Sequence, residues 1–150
     1  MGAMNTRSLF LAPLLANLLC AWMVSTAHAA EPSAQQIQAG RTAFVPCASC
    51  HQVGRSARAA FGPQLNALFG RRAGSTTDYR YSAAMKRSSI VWTEQTLAAY
   101  IRDPQAVVPG TSMRFVSYGY NDRKIADLLA YLRTYQAAGM PTAAPPTTGR

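Results

Sequence analysis

Cys47-Ala48-Ser49-Cys50-His51 is the stretch on which the reading of this chain turns. Two thiols three positions apart, with an imidazole next to the second, form the Cys-x-x-Cys-His pattern through which c-type haem is attached. The spacing has a physical reason. Thiols so placed reach the two vinyl groups on one side of a porphyrin, and the adjacent imidazole is carried under the iron. The other reading of the pair is a redox-active Cys-x-x-Cys or a plain disulfide. The thioredoxin-like form of that reading expects a strand-helix-strand alternation, and no convincing strand can be read here.

Working outward, residues 1–29 have the build of an export signal: Arg7 at the positive start, Leu9 to Val24 as the apolar stretch, and Ala27-His28-Ala29 as the small-residue cleavage pattern. Pro13 and Asn17 interrupt the apolar stretch, which is too short to span a bilayer, so removal is expected rather than anchorage. A lipid attached at Cys20 is disfavoured by the bulky Leu19 before it. Cleavage takes Cys20 and His28 away and leaves two cysteines and one histidine, all in the five-residue cluster. A tetrahedral zinc site then lacks ligands. A Ser-His-Asp arrangement would have to use His51 itself, and a second haem attachment is impossible.

The chain carries 15 Lys and Arg against 6 Asp and Glu, a formal charge of +9, or +8 without Arg7. The basic residues are scattered singly or in pairs, not in the runs that nucleic-acid-binding tails show, so no nucleic-acid partner is expected.

Three helices are predicted. Ser33 with Gln36 fits a capping box opening a helix through Ile37, Gly40 and Phe44 that Pro46 stops. Thr93 caps a second, with Leu97, Tyr100 and Ile101 on one face and Asp103-Pro104 closing it. Asn121 caps a third, whose stripe of Ile125, Leu128, Leu129 and Leu132, with Tyr131 and Tyr135 beside it, is the strongest in the chain. Residues 139–150 are Pro/Thr-rich and read as a disordered tail. The expected domain covers 30–138.

From Val53 to Val91 there is little periodicity apart from one short helix near Ser82 to Lys86. A loop that long in a compact domain makes sense when something apolar other than protein fills the middle. Haem is that filler, and its iron needs a sixth ligand in a chain with no second histidine. Of Met85, Met113 and Met140, Met113 is the candidate, because Val108-Pro109-Gly110-Thr111-Ser112 is a rigid turn suited to delivering one side chain to a fixed point.

With these residues assembled, the chain resembles a class I cytochrome c of the mitochondrial and bacterial cytochrome c2 type across residues 33–136. Gly40 and Phe44, with Leu128 and Tyr131, match the family's helix crossing, and Gly62-Pro63-Gln64-Leu65 resembles its turn below the proximal histidine. The resemblance implies an all-α fold of three main helices and long loops around one haem c held by Cys47 and Cys50. It implies His51 and Met113 as iron ligands, and Pro63 accepting a hydrogen bond from His51. Arg71, Tyr81 and Trp92 would contact a haem propionate, and Tyr100 would bond near the methionine sulfur. Taken singly, these four read better as a surface charge and ordinary core aromatics; it is their joint spacing relative to Cys47 and Met113 that favours haem-contacting roles.

There are departures from the pattern. Gln105, Ala106 and Ser112 stand where lysines often ring the haem edge, Met85 replaces a commonly polar residue near the buried propionate, and Lys86 and Lys124 are the only lysines. The charge is carried instead by arginines such as Arg55, Arg58, Arg102, Arg114 and Arg123. The implied function is that of a monomeric, soluble periplasmic carrier, not an enzyme, shuttling single electrons, for example along a respiratory chain, between redox partners with acidic docking faces. Two alternatives stay open: a cytochrome dedicated to one periplasmic dehydrogenase, and an enzyme or gas sensor with an open iron site.

Overall fold

A computed structural model describes residues 31–136. The proposed export signal at 1–29, the tail at 139–150 and Met140 lie outside the described residues.

Helix α1 (Ala34–Phe44) starts where the Ser33 hydroxyl accepts the Gln36 N–H at 3.1 Å. It ends just ahead of Pro46, which has no N–H to continue the ladder. Its inner face buries Gly40, Ala43 and Phe44. The chain then tightens into a 3₁₀ turn over Cys47–Ser49, the turn that carries the first thiol.

The predicted long loop contains one short helix, α2 (Ala83–Arg87), capped by Ser82. The rest of the loop is tied down by scattered backbone bonds. Gly70 N–H donates to Trp92 at 2.8 Å, Trp92 N–H to Arg71 at 3.0 Å and Ala73 N–H to Ile90 at 2.8 Å, around an isolated bridge between Arg72 and Val91. Gly74, at φ +70°, lies under the Met85 carbonyl, where a Cβ would come within 2.7 Å.

Helix α3 (Glu94–Arg102) opens with a reciprocal capping box in which Thr93 and Thr96 each accept the other's backbone N–H. Asp103 and Pro104 close it as expected, but they also begin a short helix that was not anticipated, α4 (Pro104–Val107). The Asp103 carboxylate accepts from Gln105 and Ala106 N–H, and Pro104 occupies the first turn, where its missing donor costs nothing.

Helix α5 (Asp122–Arg133) is capped by Asn121 and buries Ile125 and the run from Asp127 to Leu132. It crosses α1 at Gly40. The Arg133–Glu94 ion pair ties its end to the start of α3. The core comprises the inner faces of α1, α3 and α5 with Leu68, Met85, Trp92 and Val108. Among the described residues there is no named strand, and no helix is long and apolar enough to cross a membrane. The all-α expectation is met.

Candidate functional site

A cavity of about 340 Å³ opens between the helices and the long loop. Cys47, Cys50, His51, Pro63, Arg71, Tyr81, Trp92, Tyr100 and Met113, the residues singled out from the sequence, all line it. Phe44, Leu68, Leu97, Ile101, Leu128 and Leu132 supply much of the apolar wall.

The two thiols are free of each other, the second exposed and the first half-buried. Burial pushes the Cys47 thiol above its ordinary value, a nearby Tyr120 hydroxyl working the other way. His51 is fixed by its surroundings. One ring nitrogen, Nδ1, lies 2.8 Å from the Pro63 carbonyl oxygen. A carbonyl can only accept, so Nδ1 carries the proton and Nε2 keeps its lone pair. Burial also depresses the imidazole below its ordinary value, which keeps the ring neutral. Gly62 makes this possible sterically, since a Cβ there would come within 2.5 Å of the His51 Cε1.

Met113 is half-buried and packs against the core. Its approach is built from α4 onward. Gln105 Nε2 donates to the Thr111 carbonyl at 3.0 Å and its Oε1 accepts the Gly110 N–H at 3.1 Å, bracketing the turn at Gly110, φ +86°. Gln105, where a rim lysine is often found, is thus a clamp on the turn that carries Met113. The Tyr100 hydroxyl pairs with Thr111 Oγ1 at 2.6 Å in the interior, and the same oxygen accepts the Met113 N–H at 3.4 Å. Tyr100 therefore meets the methionine segment through Thr111. Burial raises the Tyr100 phenol above its ordinary value.

Arg71 is held by its own loop, with Nη1 donating to the Asn66 carbonyl at 3.0 Å and Nη2 to the Gln64 carbonyl at 3.1 Å. Two of its five donors are thereby used, and three remain for an anion in the cavity. Tyr81 pairs with Thr76 at 2.8 Å, and Trp92 packs 5.0 Å from the Tyr100 ring. Sequence reasoning passed over Phe61, Tyr79 and Phe115, which also line the cavity. They lie in irregular segments outside any helix, so no periodicity marks them.

These observations fit a covalently held haem: an apolar cavity, two unbridged thiols at its wall, a neutral imidazole with one free lone pair and a thioether on the same lining. Among the described residues no three His, Cys, Asp or Glu side chains converge on a common point, so a bare metal ion has no nest of its own.

Comparison with known proteins points the same way. The family described as Cytochrome c matches residues 37–136. Cytochrome c2 of Blastochloris viridis is 41% identical over 116 residues, 77% of this chain and 91% of the relative. Cytochrome c-550 of Bradyrhizobium diazoefficiens is 42% identical over 101 residues, 67% of this chain and 74% of the relative. Among solved structures, cytochrome cH from Methylobacterium extorquens aligns with a TM-score of 0.59 at 37% identity, covering 65% of this chain and 97% of that one.

Proposed function

The chain belongs to the cytochrome c family, a family of electron carriers holding one haem c through a cysteine pair, here Cys47 and Cys50; from that premise we propose that it shuttles single electrons between periplasmic redox proteins, with His51 and Met113 as the residues that would hold the iron. The observation that carries the reading is the His51–Pro63 bond at 2.8 Å, which reserves Nε2 for a metal in the cavity that both thiols and Met113 line.

Bound in this cavity, haem supplies a one-electron couple. The chain's residues do the rest. Pro63 holds the His51 tautomer and makes the imidazole a stronger donor. Met113 offers a soft, weakly donating thioether that favours the ferrous state, and the apolar lining opposes the extra ferric charge, so a positive reduction potential is expected. With both His51 and Met113 bound to it, the iron would have no position for peroxide or oxygen, which suits a carrier rather than an enzyme. Arg71, with Tyr81 and Trp92 beside it, would balance a propionate that the cavity takes out of water.

Residues 1–29 are proposed to direct export and to be removed. Arg55, Arg58 and Arg114 are exposed and, among the described residues, enter no ion pair, whereas Arg102 and Arg123 are engaged with Asp122 and Asp127. Together with the charge of +8 that remains without Arg7, they favour steering toward an acidic partner, with a rate that falls as salt rises.

The test is the absorption spectrum of the protein matured with haem, oxidised and reduced. Narrow reduced bands together with the weak far-red band of an iron–thioether bond are expected. Covalent haem without the far-red band would remove Met113 as a ligand and favour an open iron site.

A further inference from the structure

We propose that Tyr79 is a positioning residue for His51: its hydroxyl donates to the Phe61 carbonyl oxygen at 3.0 Å and straps the Phe61–Pro63 segment against the imidazole ring. The inference rests on His51 being an iron ligand and deepens that reading.

Residues 61–63 belong to no helix or strand. The Phe61 side chain is 85% exposed and anchors nothing. The segment is therefore placed by the packing of Gly62 on the His51 ring and by bonds to its backbone. On one side Gly62 N–H donates to Cys50 at 2.9 Å, and the Gly62 carbonyl accepts from Ala60 at 2.9 Å. Those bonds join neighbouring parts of one loop. Further bonds to its backbone come from side chains of residues 71–81, at two points. Arg71 grips the Gln64 and Asn66 carbonyls beyond Pro63, and Tyr79 grips the Phe61 carbonyl ahead of it. Pro63, whose oxygen faces His51 Nδ1, lies between the two grips.

Tyr79 is suited to the task because its ring is itself fixed. It packs edge-on against Tyr81 at 4.8 Å and 82°, and Tyr81 is held by Thr76. Little rotamer freedom remains to be lost when the hydroxyl bonds. With no slack between Gly62 and the imidazole, outward drift of Phe61 carries Pro63 with it and lengthens the Pro63–His51 bond. A weaker acceptor at Nδ1 leaves a less basic imidazole, which stabilises ferric iron less.

The experiment compares Tyr79→Phe and Tyr79→Leu with the parent, all with haem attached, by amide hydrogen exchange and by reduction potential. In Tyr79→Phe the Gly62 amide should exchange about tenfold faster, as loss of one net hydrogen bond predicts, while the Leu128 amide in α5 stays unchanged. The potential should move in the positive direction. Tyr79→Leu should add little, since the hydroxyl carries the effect. Unchanged Gly62 exchange in Tyr79→Phe overturns the proposal. That holds if the potential moves, which would make Tyr79 a direct partner of the cofactor, and if only Tyr79→Leu responds, which would assign the loop to ring packing. Failure of the ligation reading is separable, because it shows in the spectrum of the parent before any variant is made.

Discussion

Gly40 in α1 lies against α5 so closely that a β-carbon built on it would overlap the Asp127 carbonyl group and come within 2.7 Å of the Tyr131 Cβ. The crossing lets Phe44 meet Tyr131 at a ring separation of 5.5 Å. Helix propensity alone would make Gly40→Ala stabilising by about 1 kcal/mol. The overlap is with backbone, which cannot swing aside, so overpacking wins and a net loss of about 3 kcal/mol is expected. The denaturant midpoint of the haem-loaded variant measures it. A midpoint at or above that of the parent would mean that the helices separate without cost.

The cysteine pair makes a sharper prediction. Cys47→Ala with Cys50→Ala removes both thiols from the cavity wall while leaving His51 and the apolar lining in place. Such a protein should lose its haem on extraction under denaturing conditions, where the parent keeps it. A double variant that stays coloured through extraction would show that attachment does not run through these thiols.

Much of this arrangement was legible in the sequence, for identifiable reasons. Ser33, Thr93 and Asn121 each cap the helix start at which they were expected, because a cap is a local bond between residues three apart, and Ser82 caps the short helix expected near it. The five-residue cluster and the turn before Met113 were legible for the same reason. Asp103 was read as a terminator but not as the cap of α4, a four-residue helix with too few positions for a period to show. Tyr79 and Tyr120 were missed because their hydroxyls bond carbonyls 18 and 77 positions away. Gln105 stands out in the sequence only for not being lysine, because its grip on both sides of the Gly110 turn depends on how the turn folds back onto α4.

Tyr120 gives the fold a pH dependence on the alkaline side. Its hydroxyl donates to the Ala43 carbonyl at 2.5 Å, and Lys124 Nζ lies 4.2 Å from its ring centre. Burial, with Cys47 nearby, pushes the phenol from its ordinary value of 10 up to about 12. A group whose value is raised on folding favours the protonated form. Its contribution is complete below pH 10 and is lost as the pH rises from there through about 12. Tyr120→Phe should cost about 1 kcal/mol near neutrality, and its deficit against the parent should shrink above pH 11. Denaturation at several alkaline pH values checks this; a constant gap would contradict it.

Met113→Ala separates attachment from ligation. The cysteines are untouched, so haem should remain covalently bound. Without the thioether, the far-red band should disappear and the potential fall, because a harder donor such as water stabilises ferric iron better. The reduced variant should bind carbon monoxide at neutral pH, where the parent does not. Met85 is the control that gives the result its meaning. It lines the same cavity but is only 6% exposed, and it lies in α2, whose capped turn fixes it among core side chains. Met85→Leu nearly conserves volume, so it should cost less than about 1.5 kcal/mol and keep the far-red band. If the band survives in Met113→Ala and vanishes in Met85→Leu, the ligand is the methionine from α2. The bracket that Gln105, Thr111 and Tyr100 build around the 110–113 turn would then serve the stability of that turn alone.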